Sequence, residues 1–141
     1  MERDRKIPVD IRICGFHLSE GEDSDITESS YGYFSKKGDS IFLVFESAEG
    51  IRTLIKIHYK TVEVKKSIDG KPAADILYEE GKSLTGFYQT PFGRFELETD
   101  TGSVEVEEMY TSLRCRIKGK LKIYGSNVSD FNLEINAATV N

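Results

Sequence analysis

Tryptophan is missing from this chain, cysteine and histidine occur twice each, and no stretch approaches twenty consecutive apolar residues. Each shortage closes off a class of protein. Without such a run there is no segment to span a bilayer as a helix, so no membrane partner is expected. Residues Met1 to Lys6 alternate in charge and lead directly into an alternating segment, without the apolar run of seven or more that a signal peptide carries. A cytoplasmic location is therefore expected. Cys14 and Cys115 form neither a CxxC nor a metal-ligand spacing, and they read as buried thiols rather than a bridge. His17 and His58 belong to no ligand cluster, and on its segment His58 shares a polar face with Arg52, Lys56 and Lys60, as a solvated ring does.

A concentrated basic field is also lacking. The net charge is −5 and both signs are spread along most of the chain, which argues against a nucleic-acid surface, where massed positive charge supplies most of the affinity. There is no Ser/His/Asp or Cys/His spacing, Gly-rich phosphate loop, HExxH or EF-hand pattern, so neither a cofactor nor a metal nor a catalytic residue is assigned. Triad-like constellations assemble from distant positions, so this absence does not by itself exclude catalysis. A helical period of ten or more residues is nowhere found.

What remains is β-type alternation. With 141 residues, 38% hydrophobic, the chain suffices for one core and is too short for two ordinary domains. The reading is one domain over residues 1–141, with residues 1–6 as a charged N-terminal extension and 19–25 as an acidic loop. The pattern centres on Gly86 to Thr99, where Thr90-Pro91-Phe92-Gly93 supplies proline and glycine at the second and fourth positions of a turn. Before it, Ile7, Val9, Ile11 and Ile13 alternate with polar or small residues, and Gly15 permits a bend or bulge. Lys36 to Asp39 turns Ile26–Ser35 into Ile41–Phe45, and Glu49-Gly50 turns the chain again into Ile51–Tyr59. Asp69-Gly70 joins Thr61–Lys66 to Ala73–Tyr78, because both residues tolerate positive φ. Val104 and Val106 precede Leu113–Ile123, expected as the longest strand, and Val128–Ile135 closes the chain.

The last hairpin admits a register argument. A two-residue loop at Gly125-Ser126 would turn Phe131, Leu133 and Ile135 to the wrong face. A three-residue loop, Gly125 to Asn127, pairs Leu121 with Phe131, Gly119 with Leu133 and Ile117 with Ile135. Asn127-Val-Ser129 also matches a glycosylation acceptor, which has meaning only with secretion.

About eight to ten short strands with turns every ten residues predict an all-β protein, an antiparallel barrel or sandwich. Glu80-Gly81 with Phe87-Tyr-Gln-Thr-Pro-Phe-Gly-Arg-Phe-Glu-Leu97, the Phe42–Glu46 strand and the Gly125–Ile135 hairpin together resemble the YwiB-like bacterial family. The likeness spans most of residues 7 to 137. It implies a protein of unknown function built as a single up-and-down, calycin-type (lipocalin-like) barrel. The chain departs from the family pattern at Lys65 to Gly70, which replaces an Arg-x-Gly segment, and at Gly119, where an aromatic is usual. It also lacks the tryptophan of true lipocalin signatures.

Three functions are carried forward. The first is a non-catalytic barrel binding a small apolar molecule, lined by Glu46, Tyr33, Tyr88 and Thr90. Tyr31, Tyr33, Phe42, Phe45, Phe87, Tyr88, Phe92 and Phe95 either line such a cavity or fill it. The second is a filled barrel whose outer surface docks a protein partner, as a monomer or weak homodimer. The third is an enzyme using Glu46 beside a Lys or Tyr, which requires that carboxylate inside the barrel. Register decides the last: a two-residue Glu49-Gly50 loop sets Glu46 opposite Thr53 and inside, a three-residue loop sets it outside. Arg114, Arg116, Lys118, Lys120 and Lys122 form a basic stripe at period two. Cross-strand pairing is the expectation for it, Lys122 against Asp130 and Lys118 against Glu134, each pair worth at most ~1 kcal/mol.

Overall fold

The computed structural model describes residues 6–19, 22–123 and 128–140. Ten antiparallel strands, each hydrogen-bonded to its neighbours in sequence, close into a barrel: β1 (Ile7–Ser19), β2 (Glu22–Lys37), β3 (Ser40–Glu46), β4 (Ile51–His58), β5 (Thr61–Ile68), β6 (Lys71–Glu79), β7 (Lys82–Thr90), β8 (Gly93–Glu108), β9 (Ser112–Ile123) and β10 (Val128–Thr139). The first and last strands pair, so the sheet has no open edge. Of the antiparallel barrel or sandwich that the alternation allows, the chain forms the barrel, with the up-and-down strand order that the resemblance implies. No helix among the described residues is long and apolar enough to cross a membrane.

Alternation explains the core. Val9 and Ile11 of β1, Phe34 of β2, Leu43 of β3, Ile55 and Ile57 of β4, Val62 of β5, Val104 of β8, Leu113, Cys115 and Ile117 of β9 and Ile135 of β10 point inward, all under 3% exposed. Tyr78 and Phe131 meet across this core with ring centroids 5.5 Å apart, and burial pushes the Tyr78 hydroxyl and the Cys115 thiol each up to about 12. The two cysteines are not joined.

The predicted turns stand where expected. Gly38, Gly50, Asp69 and Gly70 have positive φ at three of them. At the central turn Thr90 Oγ1 accepts from Phe92 N at 3.1 Å and donates to Gly93 O at 3.0 Å, and Gly93 has φ +128°, a value side chains resist.

Several expectations are corrected. Residues 22–25 belong to β2, in continuous register with β1 through Ser19↔Glu22, so the acidic segment 19–25 is largely a strand: backbone pairing with a formed neighbour overrides polar composition. Gly15 produces no bulge, pairing regularly with both neighbours. Arg94–Thr99 and Val104–Val106 are one strand, β8, broken only by a register shift between Thr101 and Ser103, and β2 and β8, 16 residues each, exceed β9. The amide freed near that shift is satisfied by a side chain: Val104 N donates to Glu80 Oε1 at 2.9 Å.

The final hairpin is two residues out of the predicted register. Phe131 pairs with Gly119, Leu133 with Ile117 and Ile135 with Cys115. An even shift leaves every side chain on its expected face, so burial alone does not separate the two registers. In the register formed, Gly119 stands opposite Phe131, and on its other side a Cβ there would run into the Asp100 carbonyl of β8. The loop residues Gly125 to Asn127, the acceptor asparagine among them, lie outside the described residues, as do Met1 to Arg5 and the His17 ring.

Candidate functional site

Among the described residues, the packed core just described occupies the bore expected to hold a ligand. Glu46 is exposed and pairs with Arg52 rather than Thr53, placing it outside the barrel, because the turn uses Ser47 to Gly50: Ser47 N donates to Ile51 O at 2.9 Å and Gly50 N to Ser47 O at 3.0 Å. The enzyme reading that needed this carboxylate inside loses its premise. Tyr33 is 53% exposed on the outer face of β2. Tyr88 is half-buried and stacks on Phe95 at 5.5 Å, while the Thr90 hydroxyl is engaged in its own turn. Tyr33 and Glu46 share a shallow outer depression with Tyr31 and Arg52, whereas Tyr88 and Thr90 stand elsewhere, so the four residues expected to line one cavity do not come together.

A different set of residues comes together on the outer wall. Thr53 and Ile55 face inward, so Leu54 faces out, and the pairings Leu54↔Lys65, Lys65↔Asp75 and Asp75↔Phe87 carry one outward row across β4, β5, β6 and β7. The wall is indented here for two reasons. The β5–β6 register shifts between Lys66 and Ser67, where Pro72, lacking an N–H, opposes Ser67. Beyond it, β6 and β7 share only two ladder pairs, Ala74↔Tyr88 and Asp75↔Phe87. Further along that seam the Thr99 hydroxyl bonds Leu77 O and reaches Leu84 O at 3.4 Å, a side chain standing in for ladder bonds. The result is a groove of about 540 Å³, within the size range of small-molecule sites.

Its apolar surface comes from Leu54, Pro72, Ala74 and Phe87, and its polar surface from Arg52, Lys65, Lys66, Ser67, Asp75 and Arg94. The Arg94 guanidinium lies over the Phe87 ring, 3.7 Å from its centroid. Lys65 Nζ is 3.6 Å from Glu63 Oε2 and Lys66 Nζ is 3.7 Å from Glu28 Oε2. Among the described residues Arg52 and Arg94 have no ion-pair partner, although Glu46 stands opposite Arg52 on the ladder.

Asp75 is the perturbed acid of the groove. Burial, then a hydrogen bond and repulsion from the Glu63 carboxyl, hold its pKa above the ordinary carboxylate value, with Lys65 pulling the other way. Its Oδ1 is buried and no donor of the protein reaches it.

The basic stripe of β9 behaves as expected, with shifted partners. Glu134 Oε1 is 3.2 Å from Arg114 Nε and 3.8 Å from Arg116 Nε, and Asp130 Oδ1 is 3.7 Å from Lys120 Nζ. On the other side the ladder sets Glu107, Glu105, Asp100 and Glu98 against Arg114, Arg116, Lys120 and Lys122. Cross-strand neutralisation accounts for this stripe.

His58 is a solvated residue at the other end of the barrel, its Nδ1 3.0 Å from Ser40 Oγ. No group of three or more His, Cys, Asp or Glu side chains among the described residues could hold a metal ion. Sequence reasoning missed Arg52, Asp75 and Arg94. Pro72 three residues after Asp69 was the available signal, since a proline early in a strand marks an interrupted ladder.

Comparison with known proteins agrees with the fold. No curated protein matches. A crystal structure of the ywiB protein from Bacillus subtilis superposes with a TM-score of 0.82 at 21% identity, over 96% of this chain and 94% of that one. A family model described as a domain of unknown function, DUF1934, matches residues 11–135. The chain therefore belongs to the DUF1934 family, the YwiB-like barrels that its Phe87–Leu97 segment resembles.

Proposed function

We propose that this protein is a non-catalytic binding barrel, and that it takes a small, largely apolar molecule in the outer groove between β4 and β7 rather than in the bore. The observation that carries this reading is the conjunction of a groove of about 540 Å³ with an apolar floor of Leu54, Pro72, Ala74 and Phe87. The core packed into the bore by the described residues supports the same choice, because close-packed interiors leave few voids larger than a water.

A second reading, a surface for a protein partner, draws support from Tyr31, 76% exposed, and Tyr33 on the outer face of β2. One experiment separates the two. Native mass spectrometry of protein purified gently from its own host, followed by solvent extraction, should show a stoichiometric small molecule that Phe87→Ala releases. A co-purifying protein lost on replacing Tyr31 and Tyr33 by Ser favours the second reading. A bound molecule indifferent to Phe87→Ala removes the groove from consideration.

A further inference from the structure

Resting on that reading of the groove, we infer that its ligand is an anion: an apolar body bearing one carboxylate or phosphate that docks between the Arg52 and Arg94 guanidiniums. Three observations converge. Both guanidiniums belong to the groove lining, and neither is spent on an ion pair among the described residues. Guanidinium forks match carboxylate and phosphate geometry, which a hydrated ammonium does only as a point charge.

Arg94 Cζ lies 3.7 Å from the Phe87 ring centroid, so the cation and the aromatic floor adjoin and can take an apolar body beside the charge. The only carboxyl of the lining is Asp75, and the groups around it disfavour its charge: Glu63 repels it from β5, Phe87 faces it from β7 and burial removes water, with Lys65 alone opposing. The lining thus carries four cations, two of them free of an ion pair among the described residues, and one carboxyl, in a protein of net charge −5.

Carboxylate and phosphate ligands share this chemistry, and the test is built on matched probes. Isothermal titration with 1-naphthoate, 1-naphthyl phosphate and the neutral 1-naphthalenemethanol compares one apolar body with three head groups. The anions should bind at least about tenfold tighter than the alcohol, the scale of one charge-assisted hydrogen bond. Replacing Arg52 and Arg94 by Gln should remove that advantage while leaving the alcohol bound. Raising the salt concentration should weaken the anions alone. The better of the two anions identifies the head group.

Equal affinity for anion and alcohol overturns the inference and leaves the groove reading intact. No binding of any probe at millimolar concentration overturns both. An anion advantage lost in Lys118→Gln/Lys122→Gln, but kept in the arginine variant, assigns the anion to the β9 stripe and also overturns it. Circular dichroism of each variant confirms that the barrel is folded, and both arginines are exposed side chains whose replacement leaves the core untouched.

Discussion

Two patches of the same barrel wall carry positive charge of similar size and differ in what faces it. On β9 three of five cations are within 4 Å of an acid on β10, and β8 sets further carboxylates along the other side. Around the β4–β7 groove, Lys65 and Lys66 are paired and Arg52 and Arg94 are not. The stripe is the more conspicuous in sequence, since it recurs at strict period two, yet the ladder neutralises it. The groove cations are scattered over forty residues and become neighbours only through pairing of four strands. Counting charges along a chain finds surfaces. Finding unspent charge requires the partners.

The comparison can be broken hardest at the turn that presents Arg94. Gly93→Val forces a β-branched residue to φ +128°, in open space but in a disfavoured conformation. The expected loss is about 1–3 kcal/mol of stability, the usual range for strain of this kind. A urea midpoint equal to the parent's would show that the turn tolerates side chains.

A smaller change should sharpen the contrast from the other side. Glu134→Gln leaves Arg114 and Arg116 without their shared acid, costing no more than ~1 kcal/mol because the pair is solvent-screened. The loss should shrink further in high salt. A larger, salt-insensitive loss would mean that Glu134 supports the fold in some way other than charge.

Smallest in stability is the effect of the Asp75–Glu63 pair, and its sign is fixed. The folded state holds the Asp75 proton more tightly than the unfolded chain does, so it binds more protons in the window from the ordinary carboxylate value up to the raised one. Stability therefore falls as pH rises through that window, and Asp75→Asn should flatten this part of the profile. Binding of an anion beside the pair should tighten as pH falls through the same window. A parent and variant with identical pH profiles would show that Asp75 titrates normally.

Much of the fold was legible and much of the site was not, for related reasons. Strands such as Ile51–His58 betray themselves because one face is buried, and turns such as Asp69-Gly70 because few residues accept positive φ. Register is a weaker signal: the β9–β10 shift of two residues keeps all faces, so the alternation of Phe131, Leu133 and Ile135 fits both registers. Glu46 depends on a turn in which Ser47 N bonds Ile51 O around residues 48–50, which sets it opposite Arg52 and on the outer face that a three-residue loop gives. The groove depends on a bulge, a proline and a sparsely paired seam acting together, and no local pattern of residues announces that combination.

The most direct test is a titration of ¹⁵N-labelled protein with 1-naphthoate, following every backbone amide. The expected result is perturbation centred on Arg52–Leu54, Lys65–Ser67, Asp75, Phe87 and Arg94, with β9 silent. Shifts centred on Arg114 to Lys122, or on core amides such as Leu43 and Ile55, would contradict the groove as the binding site.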